Sequence, residues 1–164
     1  VSVQVLPVDW DKALAIATRM RERDWIEMAA LRFAPSREAF AGDAVEAAKR
    51  GPAAVIALDG APVVIGGISI AHPGLGVFWM WATDEFRRVV KTAARIGRIF
   101  KASVHKAGVH RIQAISRADY HDAHQWIRFF GLREEARLRA YGADGADYIV
   151  FAEVCNVHEQ RHSG

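Results

Sequence analysis

Apolar and polar residues alternate through VSVQVL (1–6), which predicts a strand, and Pro7 ends it. Leu14, Ala17 and Met20 or Arg21 then recur at helical spacing, predicting a helix over about 10–23 with Asp9 as its N-cap. DWIEMAALRF (24–33) fits a continuation of that helix, a second short helix or a loop. Pro35-Ser36 restarts a helix over about 37–50, with Ser36 as N-cap. PAAVIAL (52–58) and APVVIGGISI (61–70) flank Asp59-Gly60, the pair favoured in a tight primed turn, and predict a hairpin. Gly66-Gly67 inside the second strand predicts a bulge or a close backbone approach. VFWMWA (77–82) is apolar on both faces and predicts a central strand.

Thr83 is placed to cap a helix over about 84–107, with Asp84 and Glu85 in its first turn and Gly108 after its end. A strand over 109–116, a helix over 119–130 ended by Gly131, and a second hairpin (132–141 and 147–154, across GADG) complete the pattern. The order is β-α-α-β-β-β-α-β-α-β-β. It contains no repeat, low-complexity segment or linker. The expectation is one mixed α/β domain over residues 1–154, followed by a polar tail over 155–164.

Composition narrows the class only a little. The 164 residues are 51% hydrophobic and 25% charged, the balance of an ordinary globular chain of one core. A formal net charge of +3 permits an anionic partner without demanding one. Cys155 is the sole cysteine, so an internal disulfide is excluded and a reducing compartment is expected. No apolar run approaches the roughly 20 residues that cross a bilayer, and no signal-peptide pattern is read.

The junction FWMWATDEFRRVVKTA (78–93) runs an aromatic strand into a basic helix. Backbone amides at such a helix start favour an anion, and Arg87, Arg88, Lys91 and Thr92 stand ready to assist. Against this, no glycine loosens the junction, and Asp84 and Glu85 occupy the positive end of the predicted dipole. Along the same helix Val89, Ala93, Ile96, Phe100 and Val104 form one face, while Arg87, Lys91, Arg95, Arg98, Lys101 and His105 gather on the other. That second face suits DNA phosphates, a protein partner or water. Trp79 and Trp81 share one face of their strand, Phe78 and Met80 the other, and core packing is expected for both tryptophans, with a place on a cleft wall as the alternative for one of them. His121 and His124 lie three apart, but no third ligand accompanies them, so surface or capping roles are expected rather than a zinc site. No basic cluster near Cys155 points to an activated thiolate.

The element order resembles that of the GNAT superfamily of acyl-CoA-dependent N-acyltransferases, over almost the whole chain. The family frame Asn-x-x-Ala-x-x-x-Tyr-x-x-x-Gly-Phe reads here Tyr120, Ala123, Ile127, Gly131, Leu132. The frame Gln/Arg-x-x-Gly-x-Gly/Ala reads Arg88, Lys91, Ala93. The resemblance implies an α/β (α+β) fold, a GNAT-like mixed, mostly antiparallel sheet flanked by helices. It also implies two neighbouring strands that diverge, with the next helix pointing its leading turn into the gap. Acetyl-CoA or another acyl-CoA is the implied cofactor, its pantetheine arm lying along Trp81, Ala82 and Thr83 and its phosphates near Arg87, Arg88, Lys91 and Thr92.

The family's tyrosine, the usual general acid, falls on Ile127, and its usual base position holds tryptophan. Tyr120, beside Ser116 at the end of the fifth strand, and Glu85 are the remaining catalytic candidates. From ALDGAPVVIGG through WATDEFRR to FFGL and YIVFAEV, the chain also resembles the GNAT-like internal virion proteins of short-tailed podophages. Two functions therefore stand as expectations. One is an N-acyltransferase acting on an amine in the cytoplasm. The other is a non-catalytic virion or assembly protein, in host cytoplasm or virion interior, that meets virion proteins or DNA through Arg87, Lys91, Arg95, Arg98 and Lys101.

Overall fold

The structure, a computed structural model, describes residues 1–155. Most of the expected polar tail, 156–164, lies outside the described residues. Strand β1 (Val3–Leu6) leads into helix α1 (Trp10–Arg19), whose first turn is closed by the Asp9 carboxylate accepting from Lys12 N. Two further helices follow, α2 (Glu22–Ala29) and α3 (Arg37–Ala48), the latter capped by Ser36 Oγ. Then come β2 (Ala53–Leu58), β3 (Ala61–His72) and β4 (Leu75–Ala82). A 3-10 turn (Asp84–Arg88) precedes α4 (Val90–Lys106). The described residues end with β5 (Arg111–Arg117), α5 (His121–Phe129), β6 (Arg133–Leu138) and β7 (Tyr148–Val154).

Two helix boundaries differ most from the sequence reading, and β6 is shorter than the expected 132–141. The helix expected over 10–23 stops at Arg19, because Met20 turns extended and bridges to Thr83 at the end of β4. The ambiguous 24–33 stretch supplies α2. The helix expected to start at 84 instead begins at Val90, leaving Asp84 and Glu85 in a separate 3-10 turn.

Seven strands form one sheet in the order β1-β2-β3-β4-β5-β7-β6. Every pairing is antiparallel except β4 with β5, which is parallel. This is the mixed, mostly antiparallel sheet expected. Asp59 and Gly60 both take positive φ, as the tight β2–β3 turn requires.

The alternation of β4 divides the interior. Trp79 and Trp81 pack with α1 and α3, where Ile16, Phe40 and Val55 are fully buried. Phe78 and Met80 face the side covered by α4 and α5. Val89 at the N-cap of α4, and Ala93 and Val104 within it, are buried as their spacing predicts. The proposed basic face is uneven. Lys101 donates to Glu153 Oε2 at 2.8 Å and to the Phe130 carbonyl at 2.6 Å, and Arg98 lies over the Phe129 ring.

Gly66 and Gly67 mark a close approach rather than a bulge: the register shifts of β3 fall elsewhere. A Cβ on Gly67 would sit 2.2 Å from the Pro52 carbonyl oxygen and 2.8 Å from the Ala53 Cα. Both obstacles are backbone and cannot swing aside. Gly67→Ala is expected to cost about 3 kcal/mol in urea unfolding, the upper end of ordinary overpacking. A loss below about 1 kcal/mol would mean that β2 and β3 are not so closely apposed.

Candidate functional site

Strand β4 pairs with β5 only at Leu75–Arg111, Gly76–Ile112 and Val77–Gln113. Beyond those pairs the two strands separate, although β4 stays bonded to β3 and β5 to β7 along their lengths. The gap opens into a cleft of about 970 Å³, walled by α2, β4, the 3-10 turn, the start of α4, β5 and α5. The divergence implied by the sequence resemblance is therefore present, with Arg87, Val90 and Lys91 on its wall.

Helix α2 spans the wide end. Arg21 N donates to the Ala82 carbonyl at 2.9 Å, so the chain reaches the edge of β4 just before α2 begins. Asp24, one turn later, is 5% exposed. Its Oδ2 accepts from Ala82 N at 3.0 Å, its Oδ1 from the Tyr120 hydroxyl at 2.7 Å, and the Arg21 guanidinium donates to both oxygens. Glu27, three residues on, reaches the other strand: its Oε2 accepts from Ser116 Oγ at 3.0 Å and Arg117 N at 3.2 Å. The Glu27 carbonyl in turn accepts from the Tyr148 hydroxyl at 2.7 Å.

Ala82 offers its N–H to Asp24 of α2 and its C=O to Arg21 just before that helix, so its backbone faces the gap. Strand alternation turns the backbone groups of Met80 and Phe78 the same way. These lie beyond the last β4–β5 pair and form an open strand edge on the cleft.

Glu27 keeps part of its surface on the cleft while most of its surroundings are protein. Burial pushes its carboxyl up to about 7, and the hydrogen bonds from Arg117 N and Ser116 only partly offset that rise. Burial and the neighbouring Asp24 push the Tyr120 phenol well above its usual value. His124 is buried rather than superficial, its Nε2–H donating to the Arg117 carbonyl at 2.8 Å, and burial lowers its imidazole below the ordinary value. Its role is to hold the strand segment that carries the amide bonded to Glu27.

The residues named from sequence fall into three groups. Tyr120, Trp81, Arg87 and Lys91 line the cleft, as does Ile127, where the family tyrosine would stand. Ala82 and Thr83 are buried anchors. Ala82 is engaged by α2, Thr83 N donates to the Val63 carbonyl, and Thr83 Oγ1 accepts from Glu85 N. Glu85, Arg88 and Thr92 are not among the cleft residues. Glu85 pairs with Arg88 at 3.0 Å and Arg19 at 3.5 Å, which draws it out of reach. The acids expected at the head of the long helix do not occupy α4: its first turn carries none, and Val89 provides no side-chain cap to its amides.

Asp24 and Glu27 were missed by the sequence reading. The available signal was D-x-x-E, two acids on one helical face. The usual rule hides it, since α2 turns these acids inward and leaves Ile26 41% exposed. The indole N–H groups of Trp79 and Trp126, both on the cleft wall, have no hydrogen-bond partner among the described residues.

No protein-family model matches the chain, and no curated protein does. Solved structures do. Ard1 from Thermoplasma volcanium superposes with a TM-score of 0.69 at 15% identity, over 94% of this chain and 98% of that one. The ribosomal-protein-S18-alanine N-acetyltransferase from Escherichia coli gives 0.68 at 17% identity, over 93% and 94%. A ribosomal L7/L12 α-N-protein acetyltransferase in complex with coenzyme A gives 0.70 at 10% identity, over 94% and 95%. The chain thus has the fold of the GNAT acetyltransferases.

Glu27 gives the site a pH signature. In the unfolded chain it ionises near 4.5, in the folded one near 7. Its contribution to stability is full below the first value and is lost as pH rises through the second, because the unfolded state sheds its proton earlier. The stability of wild type minus that of Glu27→Gln, from denaturant titrations, is expected to fall by about 3 kcal/mol between pH 4 and pH 8. A flat difference would remove the raised carboxyl.

Proposed function

We propose that the chain is an acyl-CoA-dependent N-acyltransferase in which Glu27 is the general base. The observation that carries this is a carboxyl poised near neutrality on the wall of the cleft between β4 and β5. An amine attacks a thioester only as the free base, and a group that titrates near working pH removes its proton most effectively. Glu27 receives that proton, directly or through one water, while the acyl carbon would exchange its C–S bond for the new C–N bond and the thiolate would leave to take a proton from solvent. Ser116 and Arg117 N fix the carboxylate, and Tyr148 holds the backbone of α2 beneath it.

When bound, acyl-CoA supplies the acyl group already activated as a thioester. The open edge of β4 at Phe78 and Met80 suits the amides of a pantetheine arm, which would join as an added strand. The uncapped first turn of α4, with Arg87 and Lys91 beside it, suits the phosphates. Trp81 forms wall, while Ala82 and Thr83 secure the end of the strand. Arg88 is tied to Glu85, so the phosphate contact falls to Arg87 and Lys91. Tyr120 donates its hydroxyl hydrogen bond to Asp24, which makes it a positioning residue for the β4 end. The acceptor is a primary amine. The α-amine of a peptide is the first to test, since two of the structural neighbours are named as N-terminal or alanine acetyltransferases of ribosomal proteins.

Residues 1–154 are read as the one domain carrying this activity. The non-catalytic virion reading needs the cleft only as scaffold and has no use for a titrating carboxyl there. Its DNA-binding version also loses Lys101, already engaged by Glu153.

Acetyl-CoA at 100 times its dissociation constant is expected to add about 2.7 kcal/mol of stability in thermal melts. Thiol release with a panel of peptide amines should rise with pH to a plateau above about 7. Glu27→Gln should keep the melting shift while slowing turnover by about 10²–10⁴. No shift at millimolar acetyl-CoA rejects the acyl-CoA site, whereas a shift with unchanged Glu27→Gln turnover rejects the base.

A further inference from the structure

A second cluster of ligating side chains lies outside the cleft, at the far end of α4. His105 in the last turn of α4, Glu153 in β7 and Cys155 just after it each offer one ligand atom within 4.8 Å of the others. His105 Nδ1 is 2.7 Å from the Val109 carbonyl oxygen. A carbonyl only accepts, so Nδ1 carries the hydrogen and Nε2 is left with a free lone pair. That Nε2 is 3.7 Å from Glu153 Oε1 and 3.7 Å from Cys155 Sγ. The other carboxylate oxygen of Glu153 is held at 2.8 Å by Lys101, whose ammonium is fixed in turn by the Phe130 carbonyl. Imidazole and carboxylate are thus each oriented from behind, the arrangement that outer partners impose on metal ligands.

We propose that His105 Nε2, Glu153 Oε1 and Cys155 Sγ form a binding site for a divalent ion of the zinc class, with water completing a tetrahedron. Metal–ligand bonds of about 2.0–2.3 Å put tetrahedral donors roughly 3.3–3.6 Å apart, so the two 3.7 Å approaches to Nε2 close by a few tenths of an ångström, and the third pair, within 4.8 Å, closes by at most about 1.5 Å. The sulfur lies 3.6 Å from Nδ1 as well, and binding draws it toward the Nε2 side. Mixed sulfur, nitrogen and oxygen donors suit zinc better than magnesium or calcium. Binding releases the thiol proton, and the resulting thiolate and carboxylate together balance the ion's two charges. The ion would staple the end of α4 to the end of β7, about 22 Å along the helix from its phosphate-facing turn. Its role is to brace the helix rather than to take part in chemistry.

The test uses the full chain, reduced and metal-free, titrated with Co²⁺. One equivalent is expected to produce a thiolate-to-cobalt charge-transfer absorption that Zn²⁺ displaces. Cys155→Ser should abolish the band, while His105→Gln and Glu153→Gln should each weaken binding at least tenfold, roughly the least that loss of a ligand should cost. Circular dichroism checks that each variant folds. His158 and His162 follow in the sequence, so a His158→Gln/His162→Gln chain should bind as wild type does. No band with stoichiometric Co²⁺ overturns the site. So does a band indifferent to His105→Gln and Glu153→Gln, or one lost with the two later histidines.

Discussion

Two carboxylates three residues apart on α2 hold open the gap on which the rest of the site depends. A sheet whose strands part inside a protein leaves amides without acceptors, and buried unpaired amides are costly. Asp24 accepts the Ala82 amide at the end of β4, and Glu27 accepts the Arg117 amide at the end of β5. Each acid therefore replaces hydrogen bonds that the two strands would have given one another. The helix becomes a spacer that fixes the width of the cleft.

The two acids are not equivalent. Asp24 receives a guanidinium, a phenol and an amide, and it is almost wholly enclosed. Glu27 accepts from a hydroxyl and an amide, keeps surface on the cleft, and has its carboxyl raised by burial. A structural acceptor and the proposed proton acceptor thus come from one short helix, separated by environment rather than by residue type. The phenol on Asp24 completes this division. Tyr120 reaches from the start of α5 to the acid of α2 that holds β4, so three elements meet at one side chain.

The sheet was legible because its signals are local. Asp59-Gly60 sets a turn, VFWMWA reads as a buried strand, and the face of α4 shows in its spacing. The divergence of β4 and β5 followed from the resemblance alone, since no residue pattern states which neighbouring strands fail to pair. Helix α2 was opaque for a physical reason. Hydrophobic periodicity assumes that polar residues face water, and here Asp24 faces inward because three donors compensate it, while Ile26 faces outward. Arg21 is one turn away, but Ala82 and Tyr120 stand 58 and 96 residues off, distances that no local reading spans. Glu85 was favoured for its closeness in sequence to β4, and its ion pairs carry it away.

The missing glycine at Lys91 is a smaller departure than the family frame suggests. Glycine is indispensable only where the backbone takes positive φ or where another chain leaves no space for a Cβ. Among the described residues, positive φ outside glycine occurs only at Asp59 and Ala140, so Lys91 sits in ordinary helical backbone. Its amide belongs to the uncapped first turn whether or not a side chain is present. What the substitution changes is therefore volume and charge at the cleft wall. Asp84 and Glu85 stand in the 3-10 turn rather than in α4, so the lysine ammonium adds to the positive end of that helix, while Asp84 shares the cleft wall with it. A phosphate group meeting this turn would exchange some closeness to backbone for a direct countercharge. Such a contact is expected to be more sensitive to salt than one made by amides alone.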